Sequence, residues 1–307
     1  MVWSCLVSIL PGMAQTEKLT DYVNPFVGTD GYGNVYPGAQ IPFGGIQISP
    51  DTDSRFYDAA SGYKYNHLTL MGFSLTHLSG TGIPDLGDFL FIPGTGEMKL
   101  EPGTHEDPDQ GYRSRYSHDK EWASPNYYAV ELADYGVKAE MTSGVRSGMF
   151  RFTYPESDNA FIMIDMNHTL WQSCEWSNLR MINDSTITGY KLVKGWGPER
   201  HVYFRATFSK KLTGLRFVQD KKPVIYNTSR FRSSYEAWGK NLMACISFDT
   251  KAGEEVTVKT AISAVSTDGA RNNMKELDGM TFNELRAKGE ALWEKELGKY
   301  TLTADRK

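Results

Sequence analysis

The chain has 307 residues, of which 40% are hydrophobic, 23% charged and 13% aromatic, with a formal net charge of −4. That apolar content excludes a disordered chain, and Gly and Pro scattered without a period exclude a collagen-like one. No basic stripe is present, so neither nucleic acid nor an anionic membrane surface is expected as a partner.

The first 14 residues, MVWSCLVSILPGMA, carry no charged side chain and end in Gly12-Met13-Ala14, with small residues at the two positions read by signal peptidase. A signal peptide over residues 1–14, cleaved before Gln15, is therefore expected, and with it a periplasmic or secreted location. The missing Lys or Arg near Met1 departs from that pattern, and Cys5 has no lipobox around it. The run is too short to span a bilayer. Of the remaining cysteines, Cys245 lies in the apolar run Leu242-Met243-Ala244-Cys245-Ile246 and reads as a buried thiol, while Cys174 sits between Trp171 and Trp176, where a site is the alternative to packing. Two such residues make neither a disulfide framework nor a zinc site.

Strand signals follow one another along most of the chain. Phe89–Ile92 is a short apolar run bounded by Asp88 and Pro93, and Asn126–Leu132, Gly136–Thr142 and Gly148–Tyr154 are separated by turn signals. Ala160–Ile164, Ser185–Val193, His201–Phe208, Leu242–Phe248 and Glu255–Val265 continue the series. Strands with short turns and no intervening helices predict a mainly β fold, a large antiparallel β-sandwich over residues 21–270. The last thirty residues differ. Phe282, Leu285, Leu292, Trp293 and Leu297 fall at helical spacing behind Thr281 and Glu284, which form a capping box, so residues 271–307 read as a helical linker. Its apolar face must pack on the sandwich or on another domain.

Fifteen of the 29 glycines lie between Gly28 and Gly111. Such density marks backbone that takes unusual φ values or approaches something closely. The blocks Asn24–Ala39, Ser61–Tyr65 and Thr76–Gly82 contain neither a phosphate loop nor a GxGxxG ahead of a helix. Polar loops interleaved with Tyr and Trp suit a sugar, whose faces stack on rings while its hydroxyls need hydrogen bonds. Plainer readings stand beside this one: His77 as a hydrogen-bonded packing residue, Asp85 and Asp88 as a turn before the next strand, and Trp171, Trp176 and Trp196 as core or interface residues. The sequons at Asn167, Asn183 and Asn227 matter only in a glycosylating host.

Several blocks in order resemble the N-terminal domain of glycoside hydrolase family 92, the calcium-dependent exo-α-mannosidases of gut Bacteroidetes. They are Val23-Asn24-Pro25-Phe26-Val27-Gly28-Thr29, Tyr36-Pro37-Gly38-Ala39, Gln47-Ile48-Ser49-Pro50-Asp51, Gly72-Phe73-Ser74, Thr76-His77-Leu78-Ser79-Gly80-Thr81-Gly82 and Asp85-Leu86-Gly87-Asp88. The resemblance implies a sandwich of galactose-mutarotase-like type, joined by helices to an (α/α)6 barrel. It also implies an inverting reaction on the α-mannosides of N-glycans or mannan, with acid and base carboxyls typically ~6.5–9.5 Å apart. Both carboxylates and most calcium ligands would come from the barrel, so no catalytic residue and no metal ligand is expected in this chain, which is expected to be inactive alone. To substrate binding the resemblance assigns the loops carrying Gly31, Tyr32, Gly33, Asn34, Tyr63, Lys64, Tyr65, His77, Ser79, Gly80 and Thr81, with Lys64 and Tyr65 shaping the leaving-sugar side. Asn34, Leu75 and Phe150 stand where the family often has histidine, which bears on linkage preference. A stand-alone carbohydrate-binding sandwich is the alternative, and an interaction domain without a pocket is the third reading.

Overall fold

The computed structural model describes residues 17–54, 57–225 and 235–301. The expected leader and the Asn227 sequon lie outside them. Two antiparallel sheets face each other. The smaller runs in the order Ser49–Asp51, Gly72–Ser74, Leu90–Thr95, Ser157–Asp165, Leu242–Thr250, Gly214–Gln219, Lys222–Pro223. The larger has nine strands, Glu236–Gly239, Ser173–Asn183, Thr186–Lys194, Arg200–Phe208, Glu254–Ser263, Ser147–Tyr154, Val137–Ser143, Tyr127–Leu132 and Glu121–Ser124.

The apolar pattern explains both layers. In Ser157–Asp165, Ile162 and Ile164 point into the main core with Phe91, Phe150, Phe152 and Phe204, while Phe161 and Met163 point the other way into a second cluster with Leu90, Ile92, Tyr112 and Met243. The smaller sheet is thus buried on both faces, so its central strands read as unbroken apolar runs. The larger sheet alternates: Val256 and Val258 are buried, whereas Glu255, Thr257 and Lys259 between and beside them are not.

Every strand expected from the sequence is present within a few residues of its predicted ends. Ser173–Asn183, Gly214–Gln219 and Glu236–Gly239 are further strands that the pattern did not reveal. A helix, α1 (Thr267–Met274), begins ahead of the last thirty residues and spans the expected boundary at 270. It has almost no apolar periodicity, burying only Ala270. The second helix, α2 (Phe282–Leu297), carries the expected capping box. It packs back on the sandwich: Phe282 and Leu285 are buried with Tyr127, Ala129, Met149 and Leu277, and the Trp293 indole N–H donates to Gln40 O at 2.7 Å. The chain therefore covers the inner face of its own helix, and that face gives no reason to require a further domain.

Candidate functional site

The glycine-rich blocks fold into one loop cluster. The Gly80 N–H donates to Asn34 O at 2.6 Å, the Ser61 hydroxyl donates to the same carbonyl, and the Tyr65 N–H reaches Thr29 O at 3.0 Å. Lys64 Nζ donates to Gly31 O at 2.6 Å, so a buried ammonium fastens the first block to the second. Gly31, Tyr32, Gly33, Ser79, Gly80 and Thr81 form the exposed rim. Tyr65 is partly exposed and stacks on His118, with ring centroids 3.9 Å apart. Asn34 has φ +52 and is half-buried. Of the expected site residues, the rim set can therefore meet a ligand directly.

Tyr63 and His77 lie behind the rim. The Tyr63 hydroxyl donates to Glu121 at 2.9 Å, and the ring is buried. His77 Nδ1 lies 2.9 Å from Gln47 O and its Nε2 lies 2.7 Å from Asp51 Oδ1, so both nitrogens face acceptors. His168 Nε2 donates to the other Asp51 oxygen at 2.8 Å. Burial alone would raise the Asp51 carboxyl, but the charge of His77 and the hydrogen bonds from both histidines outweigh it and hold the group below the usual carboxylate range. In this arrangement His77 is a positioning residue for the loops above it, and His168 is a member of the same cluster that the sequence reading passed over.

Asp88 is more than a turn residue. It is fully buried between Lys191 Nζ at 3.2 Å and the Arg200 guanidinium, and it accepts from the Thr76 hydroxyl at 2.7 Å. Burial opposes its charge, yet the two cations and the hydrogen bonds win and lower its pKa to about 2. Asp85 accepts from the Leu86 N–H at 2.6 Å, as a turn residue does.

Beside the loop cluster, two hollows share the wall Trp171-Gln172-Ser173. One, about 700 Å³, is lined by Tyr57, Ile83, Pro84, Lys194, Gly195 and Trp196 as well. Ile83 lies two residues beyond Thr81, whose hydroxyl donates to Ile83 O at 3.0 Å, so this hollow opens next to the rim. The other, about 910 Å³, lies on the far side of Trp171 and has a polar lining that includes Asp165, His168, Lys221 and Asn241. Trp171 adopts φ +73 and is 60% exposed as a residue. For a bulky L-residue that conformation costs on the order of 1–3 kcal/mol. The sequence offered Trp171, Trp176 and Trp196 as core or interface residues; all three are exposed here, so none is a core residue of this chain.

Among the described residues no group of three or more His, Cys, Asp or Glu is placed to hold a metal ion, and the buried Asp51 and Asp88 are already matched by histidine, Lys and Arg. These residues do not fit a calcium cage. Cys174 and Cys245 are free and buried, and burial pushes the Cys245 thiol up to about 11. No helix among the described residues is long and apolar enough to cross a membrane.

The glycosyl hydrolase family 92 N-terminal domain, as a family model, matches residues 22–263. The chain belongs to this family. A solved family GH92 α-mannosidase from Bacteroides thetaiotaomicron is 99% identical, with a TM-score of 0.93 over 95% of this chain and 40% of its own. A solved GH92 family glycosyl hydrolase is 26% identical, with a TM-score of 0.78 over 93% of this chain and 38% of its own. Among curated proteins, an uncharacterized secreted glycosidase of Arthroderma benhamiae is 26% identical over 92% of this chain and 38% of its own length. The family 92 N-terminal domain thus accounts for the two-sheet fold and the order of the loop blocks. The chain spans well under half of each of these relatives.

Proposed function

We propose that this chain is the sugar-facing β-sandwich half of an exported, inverting, calcium-dependent exo-α-mannosidase that acts on the α-mannosides of N-glycans or mannan. An (α/α)6 barrel supplies the catalytic carboxylates and the calcium ligands, and the present loops supply one wall of the pocket. The observation that carries this reading is the 99% identity to an α-mannosidase of which the chain spans only 40%. The gathering of residues 31–34, 63–65 and 79–81 into one loop cluster, with 31–33 and 79–81 on its exposed rim, supports it further, because a sugar needs convergent polar groups on one side of a cleft.

On this reading the loops bind and orient mannose, while proton transfer belongs to groups elsewhere. Removing a general acid or base costs about 10²–10⁴-fold in rate, so a chain lacking both should not turn over. The test is to assay this chain and the same chain joined to its downstream barrel on an aryl α-mannoside. Mannose release by the joined protein alone is the expected result. Release by the isolated chain, or by neither, would contradict the proposal. A stand-alone binding module retains one supporting observation, since α2 is docked and the sandwich closes over its own core. Titration of mannose into the isolated chain distinguishes it, because half a pocket should give no measurable heat.

A further inference from the structure

We infer that the outer face of the larger sheet, where α1 borders it, binds an acidic sugar residue: a pyranose bearing one carboxylate or sulfate, with its ring on Trp238, Tyr190 and Tyr203 and its anionic oxygens on Arg205. The site needs nothing from the mannosidase reading. It stands on the register of four strands and on the hydrogen bonds that the side chains there have already made.

Leu179, Ile187, Phe204, Ala206 and Ala237 belong to the core between the sheets, so the residues alternating with them point outward. Cross-strand pairing sets these in two rows. Trp238, Asn178, Tyr190 and Tyr203 form one, and Glu236, Arg180, Thr188 and Arg205 form the other. Trp238 is exposed, and the Tyr190 and Tyr203 ring centroids lie 4.9 Å apart. Asp268 and Arg271 of α1 close one side, leaving a hollow of about 530 Å³. A helix that buries only Ala270 thereby serves as a wall.

The groups left unused in this hollow define its ligand. The Asn178 amide donates to Glu236 Oε1 at 3.2 Å and to Ala237 O at 3.1 Å, and the Thr188 hydroxyl donates to Phe204 O at 2.6 Å. Both side chains therefore offer the hollow acceptors, which call for hydroxyl donors. The donors left over are guanidiniums. Arg271 pairs with Asp268 at 3.3 Å, but among the described residues neither Arg180 nor Arg205 has an ion-pair partner. Arg205 is half-buried, and burial together with the Arg271 charge holds its guanidinium below the ordinary arginine value. A half-buried cation beside a second cation suits an anionic oxygen. Three guanidiniums line the hollow against two carboxylates, although the chain as a whole carries −4, so the positive excess is local. The aromatic row matches the C–H faces of a pyranose. A ring with hydroxyls, apolar faces and one anionic group meets all three demands, and the hollow is large enough for one such residue.

The experiment uses the 307-residue chain and needs no turnover. Methyl α-glucuronide, glucose 6-sulfate, methyl α-glucoside and acetate are each titrated while the Trp238 indole N–H resonance is followed by NMR; that resonance is the one missing from Trp238→Phe. At least one acidic sugar should bind ~tenfold or more tightly than the neutral glucoside, and the tighter of the two identifies the anionic group. Arg205→Met keeps the aliphatic stem and removes the charge. It should bring the acidic sugar down to the affinity of the glucoside while the melting temperature holds or rises. Equal affinity for neutral and acidic rings overturns the inference, as does binding of neither acidic sugar. Acetate that binds as tightly as the acidic sugars also overturns it, because the aromatic row would then contribute nothing. So does a lowered melting temperature in Arg205→Met, which would make the guanidinium a partner within the fold. The titration is then repeated on the protein joined to its downstream barrel. The same affinity there supports the site, and loss of binding assigns the face to the downstream domain and overturns it.

Discussion

At the scale of single residues, the sandwich is held by a few buried charges that tie distant segments together. Asp88 lies between Lys191 and Arg200, more than a hundred residues on. Truncating it would leave the Lys191 ammonium buried and unpaired, so Asp88→Ala should cost about 3–5 kcal/mol, measured by urea denaturation at pH 7. Its pH dependence has a definite sign. The folded-state pKa, about 2, lies below the ordinary aspartate value of 3.8, so its contribution is complete above pH 4 and is lost as pH falls from there toward 2. Asp51, lowered by the two histidines, acts in the same direction. Stability of the wild-type chain should therefore fall steeply from pH 4 to pH 2, and Asp88→Asn should flatten part of that fall; parallel profiles for the two proteins would contradict the ion-pair account. The thiols give a second residue-scale expectation. With Cys245 buried and its pKa pushed up to about 11, it should resist a thiol-reactive disulfide reagent at pH 8 until the chain is unfolded.

At the scale of elements, α2 shows how local and tertiary rules meet. The Thr281 hydroxyl accepts from the Glu284 N–H at 3.3 Å. Thr281→Ala should lower stability by about 1 kcal/mol, read from thermal or denaturant melts. Gly289, in the middle of the helix, would be improved by alanine on propensity alone. Here a Cβ would fall 1.7 Å from Asn126 Nδ2, and that amide is fixed by donating to Ser143 O at 3.0 Å while accepting from the Ser143 N–H at 3.1 Å. Gly289→Ala should therefore destabilise by about 1–3 kcal/mol. A stabilised variant would mean that the helix does not sit this close to the sheet.

At the scale of the whole molecule, one apolar core runs between the sheets, a second lies outside the smaller sheet and a third lies beneath α2. With α2 already docked, the isolated chain should stay in solution on expression and melt cooperatively from a β-rich far-ultraviolet spectrum, even though it is expected to release no mannose. Aggregation on expression without the barrel would count against the packing of α2 as described.

How much of this was readable beforehand follows from which forces leave a local trace. Leu90–Thr95 and Ser157–Asp165 announce themselves because burial on both faces demands continuous apolar sequence, and α2 does so through its cap and period. Ser173–Asn183 stays hidden because both faces of its last four residues reach water and only Ser177–Leu179 form a continuous buried stretch, so its residues neither alternate nor run apolar. The loop blocks were legible as glycine-rich and sugar-compatible, and their order identified the family. The site's support was not. Asp51 meets His77 at 26 residues' separation and His168 at 117, distances across which no spacing rule operates. Likewise, a tryptophan in sequence looks like core, and only the backbone angle and the exposure of Trp171 say otherwise. The sequence by itself determined layer composition, strand order of appearance and membership, since periodicity and motif are local properties. Tertiary structure alone decided which charges neutralise one another, which rings face water and which loops share a rim, because these depend on chain segments that meet only once the sheets have closed.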